Sequence, residues 1–268
     1  MVANTLLIAG MLGACQNENE AALAPQTATT VSDHNAKISS PAQLIKDGDK
    51  LLEYSTNALG RKVLNKIINQ TSNCYLTFSY TPQAVTVKNY QTGTDKYLSE
   101  FVYKLDVNGR CYETVAMSKA YGLEYNADGQ LSKRFSKAEV YERTEFVYKV
   151  FNGSNAKALH KILFYDKFND NYRVITYNYG ADPDLLLVNP ESFFDTPSIY
   201  LPIFGKFNSN LPTLMVDEIG TANNKTSQSW VFNYTFNADG YAKTVSRKIV
   251  GSNNPIVTER KYLAPLVP

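Results

Sequence analysis

Apolar and polar residues alternate over short stretches along most of this chain. Leu76, Phe78 and Tyr80 fall on one face of an extended segment. Ile175, Tyr177 and Tyr179 share a face of another, with Val174, Thr176 and Asn178 opposite. Tyr97, Ser99, Phe101, Tyr103 and Leu105 line a third, and Trp230, Phe232, Tyr234 and Phe236 a fourth, backed by Val231, Asn233 and Thr235. A period of two sends successive side chains to opposite sides of a strand. Three turn signals lie at the ends of such runs: Leu105-Asp106-Val107-Asn108-Gly109, Tyr125-Asn126-Ala127-Asp128-Gly129 and Phe236-Asn237-Ala238-Asp239-Gly240. Gly supplies positive φ at no steric cost and Asn or Asp tolerates it, so each reads as a hairpin turn. Few stretches carry the i, i+3, i+4 spacing of a helix. The pattern predicts an all-β domain over residues 51–268. It is a single antiparallel meander of roughly ten or more strands, and a sheet that wide curves toward a barrel or open barrel.

The segment from Asp182 to Pro212 departs from this pattern. Asn189-Pro190 and Thr196-Pro197 each place a capping residue before a Pro suited to the first helical position, which predicts one or two short helical turns. Leu185, Leu186, Phe193, Phe194, Tyr200, Ile203 and Phe204 make this connection too apolar to lie in water. It is expected to pack across the concave side or an open end of the sheet, as a structural plug or as a lid over a ligand cavity.

The first residues give an address. The uncharged apolar run Leu6–Leu12 is followed by Gly13, Ala14 and Cys15. Small residues before a cysteine, after a run too short to span a bilayer, have the form of a lipoprotein cleavage site. Residues 1–14 would be a signal peptide, although Met1–Thr5 lack the usual Lys or Arg, and Cys15 would carry the lipid. Residues 15–50 read as a tether, polar and acidic at Gln16–Glu20 and then rich in Ala, Thr, Gln and Ser. As a flexible coil it would span on the order of 25–30 Å. The expected location is the outer membrane at the cell surface, with a periplasm-facing orientation as the alternative.

With Cys15 acylated, Cys74 and Cys111 remain in an oxidising compartment. They either form a disulfide or stand as two buried free thiols. Neither has a His or second Cys at metal-ligand spacing.

Lys and Arg number 27 against 25 Asp and Glu, and the charges are scattered. That argues against a nucleic-acid partner and a polybasic membrane surface. The 19 tyrosines suit half-buried pleated surfaces.

The chemistry is sparse. His34 and His160 are the two histidines, and His160 reads as a surface or structural residue rather than a base. No nucleophile elbow, P-loop or dinucleotide fingerprint occurs. Paired acids for glycoside hydrolysis would come from Glu139, Glu142 and Glu145, taken as one strand, or from Asp217-Glu218. Lys137 and Arg143 interleave the first set as on a solvated face. Asp47-Gly48-Asp49 and Asp166–Asp170 read as turns rather than calcium loops. No catalytic residue, metal or cofactor is therefore assigned.

The lipobox, the tether, the Tyr-x-x-Asn-x-Asp-Gly-like hairpins and the segment Ile203-Phe204-Gly205-Lys206-Phe207-Asn208-Ser209-Asn210-Leu211-Pro212 resemble one family. It comprises Bacteroidota-type surface lipoproteins described as a domain of unknown function with a porin-like fold. The likeness covers roughly Leu51 to Lys261. It implies a strongly curved, many-stranded antiparallel sheet and brings no activity with it. The hairpins are also similar to the tyrosine-aspartate repeats of bacterial shell-like proteins. Charged positions such as Glu100 and Lys104 on one strand face suit water rather than lipid.

Three functions follow as expectations. The first is a non-enzymatic binding or structural module for a glycan or an outer-membrane protein partner. The second is a carrier holding a small apolar ligand inside the barrel. The third is a glycoside hydrolase with dispersed carboxylates. An apolar cavity of a few hundred Å³ would mark the carrier, a cluster of exposed aromatics the glycan binder, and two carboxyls about 5–9 Å apart in a cleft the hydrolase.

Overall fold

The computed structural model describes residues 42–57, 60–151, 157–194, 197–221 and 224–263. They form a closed barrel of sixteen antiparallel strands. In chain order these are β1 (Gln43–Asp47), β2 (Lys50–Thr56), β3 (Lys62–Asn69), β4 (Cys74–Thr81), β5 (Ala84–Gln91), β6 (Tyr97–Leu105), β7 (Cys111–Ala116) and β8 (Lys119–Tyr125). There follow β9 (Leu131–Ser136), β10 (Arg143–Val150), β11 (Lys157–Tyr165), β12 (Asn171–Pro183), β13 (Asn210–Thr221), β14 (Asn224–Phe236), β15 (Ala242–Ile249) and β16 (Ile256–Leu263). Each strand pairs with the next, and β1 pairs with β16 to close the ring. The all-β, barrel-like meander is thus the fold.

Two expectations need correction. Residues 43–50 do not belong to a tether, because Gln43–Asp47 is the strand that seals the barrel. Its apolar run is short, and beyond the two residues it pairs with β2 its partner is β16, more than two hundred residues away. Tyr97 does not share the face of Ser99 and Phe101. A bulge shifts the β5–β6 register between Asn89↔Ser99 and Tyr90↔Tyr97, which turns Tyr97 outward.

The hairpin chemistry acts as expected. Asp106 Oδ1 accepts hydrogen bonds from the amides of Asn108 and Arg110, both at 2.9 Å, and Gly109 takes φ +77°. Asn126 and Asn237 repeat the arrangement before Gly129 and Gly240. Asp166 does so with Asn169 in the glycine's place at φ +69°, so that segment is a turn.

Because the strands run up and down, turns after even-numbered strands gather at one end of the barrel and those after odd-numbered strands at the other. The described chain also starts and finishes at the first end. From this end the β12–β13 connection, residues 184–209, enters the lumen. Ile199, Leu201, Ile203, Phe204 and Phe207 are buried there against Leu44, Leu64, Val85 and Leu159. Its carbonyls bond to the first residues of two strands: Ile203 O accepts from Cys111 N at 2.8 Å and Phe207 O from Leu159 N at 2.7 Å. Tyr103 bonds Ser198 at 2.8 Å from the wall. Of the one or two short helical turns expected here, two are present. Phe194 N donates to Pro190 O at 2.9 Å, and Ser198–Tyr200 is a short 3-10 helix. Gly205, at φ +81°, lies so close to the 126–130 turn that a Cβ would stand 2.6 Å from Gly129 O. The segment is a plug, and its end of the barrel is the plugged end.

The wall at this end carries a ring of inward tyrosines. In seven of the eight odd–even strand pairs, a tyrosine late in the even strand donates to a carbonyl near the start of the odd strand before it. The pairs are Tyr54 to Leu44, Tyr80 to Leu64, Tyr125 to Cys111, Tyr148 to Leu131, Tyr179 to Leu159, Tyr234 to Pro212 and Tyr262 to Ala242, at 2.6–2.9 Å. The remaining pair, β5–β6, has Leu105 at the corresponding place. Bulges open at Tyr54, Leu105, Tyr125, Tyr148 and Tyr179, where the strands bend around the plug. A tyrosine suits this site because its ring fills apolar space while its hydroxyl satisfies a buried carbonyl.

One buried ion pair ties the plug to the closing strands. Arg260 of β16 bonds Asp47 of β1 at 2.9 Å, and Tyr200 of the plug donates to the other oxygen of Asp47 at 2.9 Å. Burial disfavours the Arg260 charge, but attraction to Asp47 outweighs it and raises the pKa.

The outer face carries pairs such as Lys88–Glu100 and Lys133–Glu124. Glu113 lies between Lys104 and Lys137, which hold its carboxyl below the usual range through hydrogen bonds. Charged positions of this kind suit water rather than lipid, since a lipid-facing strand needs an apolar outer stripe. Among the described residues no helix is long and apolar enough to cross a membrane.

Two outcomes are expected. Burial raises the ring tyrosines above the ordinary phenol value of 10.0, to about 12 for Tyr54 and Tyr262, and upward for the other five. The unfolded chain releases these protons near pH 10 while the barrel retains them. Their contribution to stability is therefore complete below pH 10 and drains away as pH climbs toward 12 and beyond. In an alkaline titration, much of the phenolate absorbance should appear in one step with loss of the β circular-dichroism signal. Gradual ionisation of all tyrosines around pH 10 with the barrel intact would contradict the ring. Secondly, Asp47→Ala should lower unfolding stability by about 3–5 kcal/mol, because it leaves a buried guanidinium unpaired. Adding Arg260→Met should recover much of the loss in urea denaturation.

Candidate functional site

The end opposite the plug is lined differently. Toward it, inward positions become polar, as at Asn69, Asn89, Ser99, Arg173, Gln228 and Arg247, each paired across strands with an inward neighbour. Between β8 and β12 the wall and the tip of the plug enclose a cavity of about 240 Å³. Tyr121, Arg134, Thr144, Phe164 and Arg173 come from the strands, Glu142 and Tyr172 from the rim, and Ser192 and Phe193 from the plug, which forms the floor. Every strand residue lies near a turn that follows an odd-numbered strand, so the cup opens at the unplugged end.

Its charges are arranged in planes. Arg173 makes a two-pronged bond to Asp217 on β13, Nε to Oδ1 at 2.9 Å and Nη2 to Oδ2 at 2.8 Å. That bond, ahead of desolvation, raises the Arg173 pKa. The same guanidinium lies 5.1 Å from the Phe164 ring. Arg134 stacks on the Tyr121 ring at 3.6 Å and lies 5.6 Å from Phe193. Tyr121 donates to Glu142 Oε1 at 3.2 Å. At the rim Arg143 bonds Glu145 at 2.6 Å and stacks on Tyr165 at 3.8 Å. Plug and wall are joined here by the Tyr177–Ser192 hydroxyl contact and by Arg247 to Glu191 at 3.3 Å. Phe193 packs edge-on against Phe146 with centroids 4.8 Å apart.

A second cavity of about 100 Å³ lies beside the first and shares Arg134 and Phe193 with it. It is the apolar one, bounded by Phe101, Leu123, Phe194 and Phe204. A carrier's cavity would be several times larger. The plug's own phenylalanines occupy the space an apolar ligand would need.

The residues singled out in the sequence scatter. Cys15 and His34 lie outside the described residues. Cys74 and Cys111 are both free thiols, so the disulfide is not formed. Cys74 opens β4 after an odd-strand turn and Cys111 opens β7 after an even-strand turn, which puts them at opposite ends of the barrel. Cys111 is the buried free thiol of the alternative reading, and burial pushes it up to about 12, whereas Cys74 is half-exposed beside Ser72. His160 donates from Nδ1 to Tyr177 O at 3.3 Å. Desolvation, with Lys149 and Lys161 nearby, lowers its pKa, which leaves it a neutral structural residue. Glu139 and Glu142 are in the β9–β10 turn rather than on a strand with Glu145. Asp217 points inward into its Arg173 clamp, and Glu218 points outward. No metal-holding group of His, Cys, Asp and Glu occurs among the described residues.

Three outward tyrosines form a cross-strand ladder. Tyr75 and Tyr90 are partners across β4–β5 and stack at 5.3 Å, Tyr97 meets Tyr90 edge-on, and Lys66 covers Tyr75. Their faces are turned on one another, as befits sheet stabilisation. The cup itself escaped the sequence because Arg134 and Arg173 look like ordinary strand charges until the barrel closes. The available signal was the breakdown of apolar inward positions near the odd-strand turns.

Architecture and site together describe a closed antiparallel barrel with a plugged lumen and a polar cup at the opposite end. The fold is similar to that of a porin-like protein from Bacteroides uniformis, with a TM-score of 0.52 and 15% identity, covering 83% of this chain and 93% of that one. A porin-like protein from Bacteroides vulgatus aligns over 83% of this chain and 99% of its own at 13% identity and a TM-score of 0.46. At these identities the likeness defines the fold alone. No protein-family model and no curated protein sequence matches the chain.

Proposed function

We propose that this protein is a non-enzymatic binding module held on the outer membrane by a lipid at Cys15 and displayed at the cell surface. What carries the reading is the combination of a lumen filled by the chain's own plug with an outer wall of paired charges. A conducting pore needs an open lumen and a lipid-embedded barrel needs an apolar belt. The chain enters the barrel at Ala42, at the plugged end, so a tether would join there and the cup would lie at the far end. Binding then falls to the cup, a polar concavity of about 240 Å³.

The test is expression of the full-length chain and a Cys15→Ser variant in a Gram-negative host. The parent should sediment with membranes and yield an acylated N-terminal Cys15 peptide by mass spectrometry. The variant should be released as a soluble β-rich protein, and the parent reconstituted in planar bilayers should pass no ion current. A variant that stays embedded in the membrane, or a parent that conducts, would overturn the reading.

A further inference from the structure

The charges around the cup cancel. Arg134, Arg143 and Arg173 are the cations that line it, and Glu142, Glu145 and Asp217 are the carboxylates that line or contact them. Arg173 and Arg143 are engaged by carboxylates and Arg134 by the face of Tyr121. A balanced lining gives a charged ligand little Coulombic gain to offset its own desolvation. An apolar ligand fares no better, since it would strand guanidinium, carboxylate and hydroxyl groups without water.

What remains is a demand for a neutral ligand that presents both hydroxyls and a C–H face. Guanidinium groups hold their N–H donors in fixed planes. Arg173 uses only part of its donor set on Asp217, and Glu142 has a second oxygen beyond the one that Tyr121 bonds. Thr144 and Ser192 add hydroxyls, while Tyr172 stands half-exposed at the rim and Phe193 forms the floor. Rings beside rigid planar hydrogen-bonding groups match a pyranose, whose C–H face stacks on an aromatic and whose equatorial hydroxyls meet planar donors and acceptors. A volume of about 240 Å³ lies near the small end of ligand cavities and is floored by the plug. It has depth for one sugar ring rather than a threaded chain.

We infer that the cup between β8 and β12 is a binding site for a single neutral sugar residue, either a chain end or a branch. Tyr172 serves as the stacking platform, and Arg134, Arg173 and Glu142 fix the hydroxyls. The inference rests on the binding-module reading. It fails separately, because a soluble Cys15→Ser protein that ignores sugars would leave that reading standing and remove this one.

The test uses the full-length Cys15→Ser chain and saturation-transfer NMR with the methyl glycosides of glucose, galactose, mannose and N-acetylglucosamine. The uronic acids of glucose and galactose provide the anionic arm. At least one neutral glycoside should receive saturation. Tyr172→Ala and Glu142→Gln should each weaken its binding by about three- to tenfold, as loss of one stacking or hydrogen-bonding contact does. Tyr75→Ala, in the outer ladder, should leave it unchanged, and circular dichroism should show all three variants folded. Saturation of no neutral glycoside, binding confined to the uronic acids, or affinity unaltered by Tyr172→Ala in a folded protein would each overturn the inference.

Discussion

A closed sheet of sixteen strands encloses more space than its own inward side chains can fill, and the rest of this structure follows from that constraint. Barrel width grows with strand number, and a ring this wide leaves either a water channel or a lumen needing another filler. Here the filler is the β12–β13 connection. Leu201, Phe204 and Phe207 bring the apolar volume, and the ring tyrosines bridge from wall to plug level while closing the carbonyls that strand curvature exposes. Through the plugged half apolar residues face inward, while charged pairs such as Lys88–Glu100 and Lys133–Glu124 lie on the outer face.

Filling the lumen from one end leaves the other shaped but unfilled. The plug reaches far enough to floor the cup with Ser192 and Phe193, and stops. The wall beyond it cannot be apolar, because nothing shields it, and cannot carry bare charge next to the core. Arg173 with Asp217, and Arg134 on Tyr121, satisfy both conditions by pairing and stacking. The same planar arrangement that solves this folding problem provides the recognition surface.

Much of the architecture could be read along the chain, and the failures have physical causes. The Asx-type turns at Asp106, Asn126 and Asn237 depend on contiguous residues and were legible, as was the alternation on β4, β12 and β14. The apolar plug was conspicuous because it broke the alternation. Features that depend on distant pairing were hidden. β1 draws most of its pairing from the distant β16, and the outward turn of Tyr97 depends on a bulge that the residues of β6 do not announce. The separation of Cys74 from Cys111 depends on counting strands, since one odd or even turn decides which end a residue occupies. The tyrosines stand out in the sequence only by their number, and their common task of capping a carbonyl on the preceding strand appears only with the register in place. The cup is the extreme case, assembled from five strands and the plug, whose polar residues each have a plain surface explanation in isolation.

If the plug is part of the core rather than a gate, it must be lost only when the barrel is lost. The amides of Cys111 and Leu159, which bond to plug carbonyls at Ile203 and Phe207, report this directly. Native-state hydrogen exchange measured against increasing urea should show both amides exchanging through the same global opening as the mid-strand amides of β11 and β12, with the same free energy and urea dependence. Exchange of Cys111 and Leu159 through a smaller opening, while those strands stay protected, would mean that the plug swings free of an intact barrel and would contradict the account.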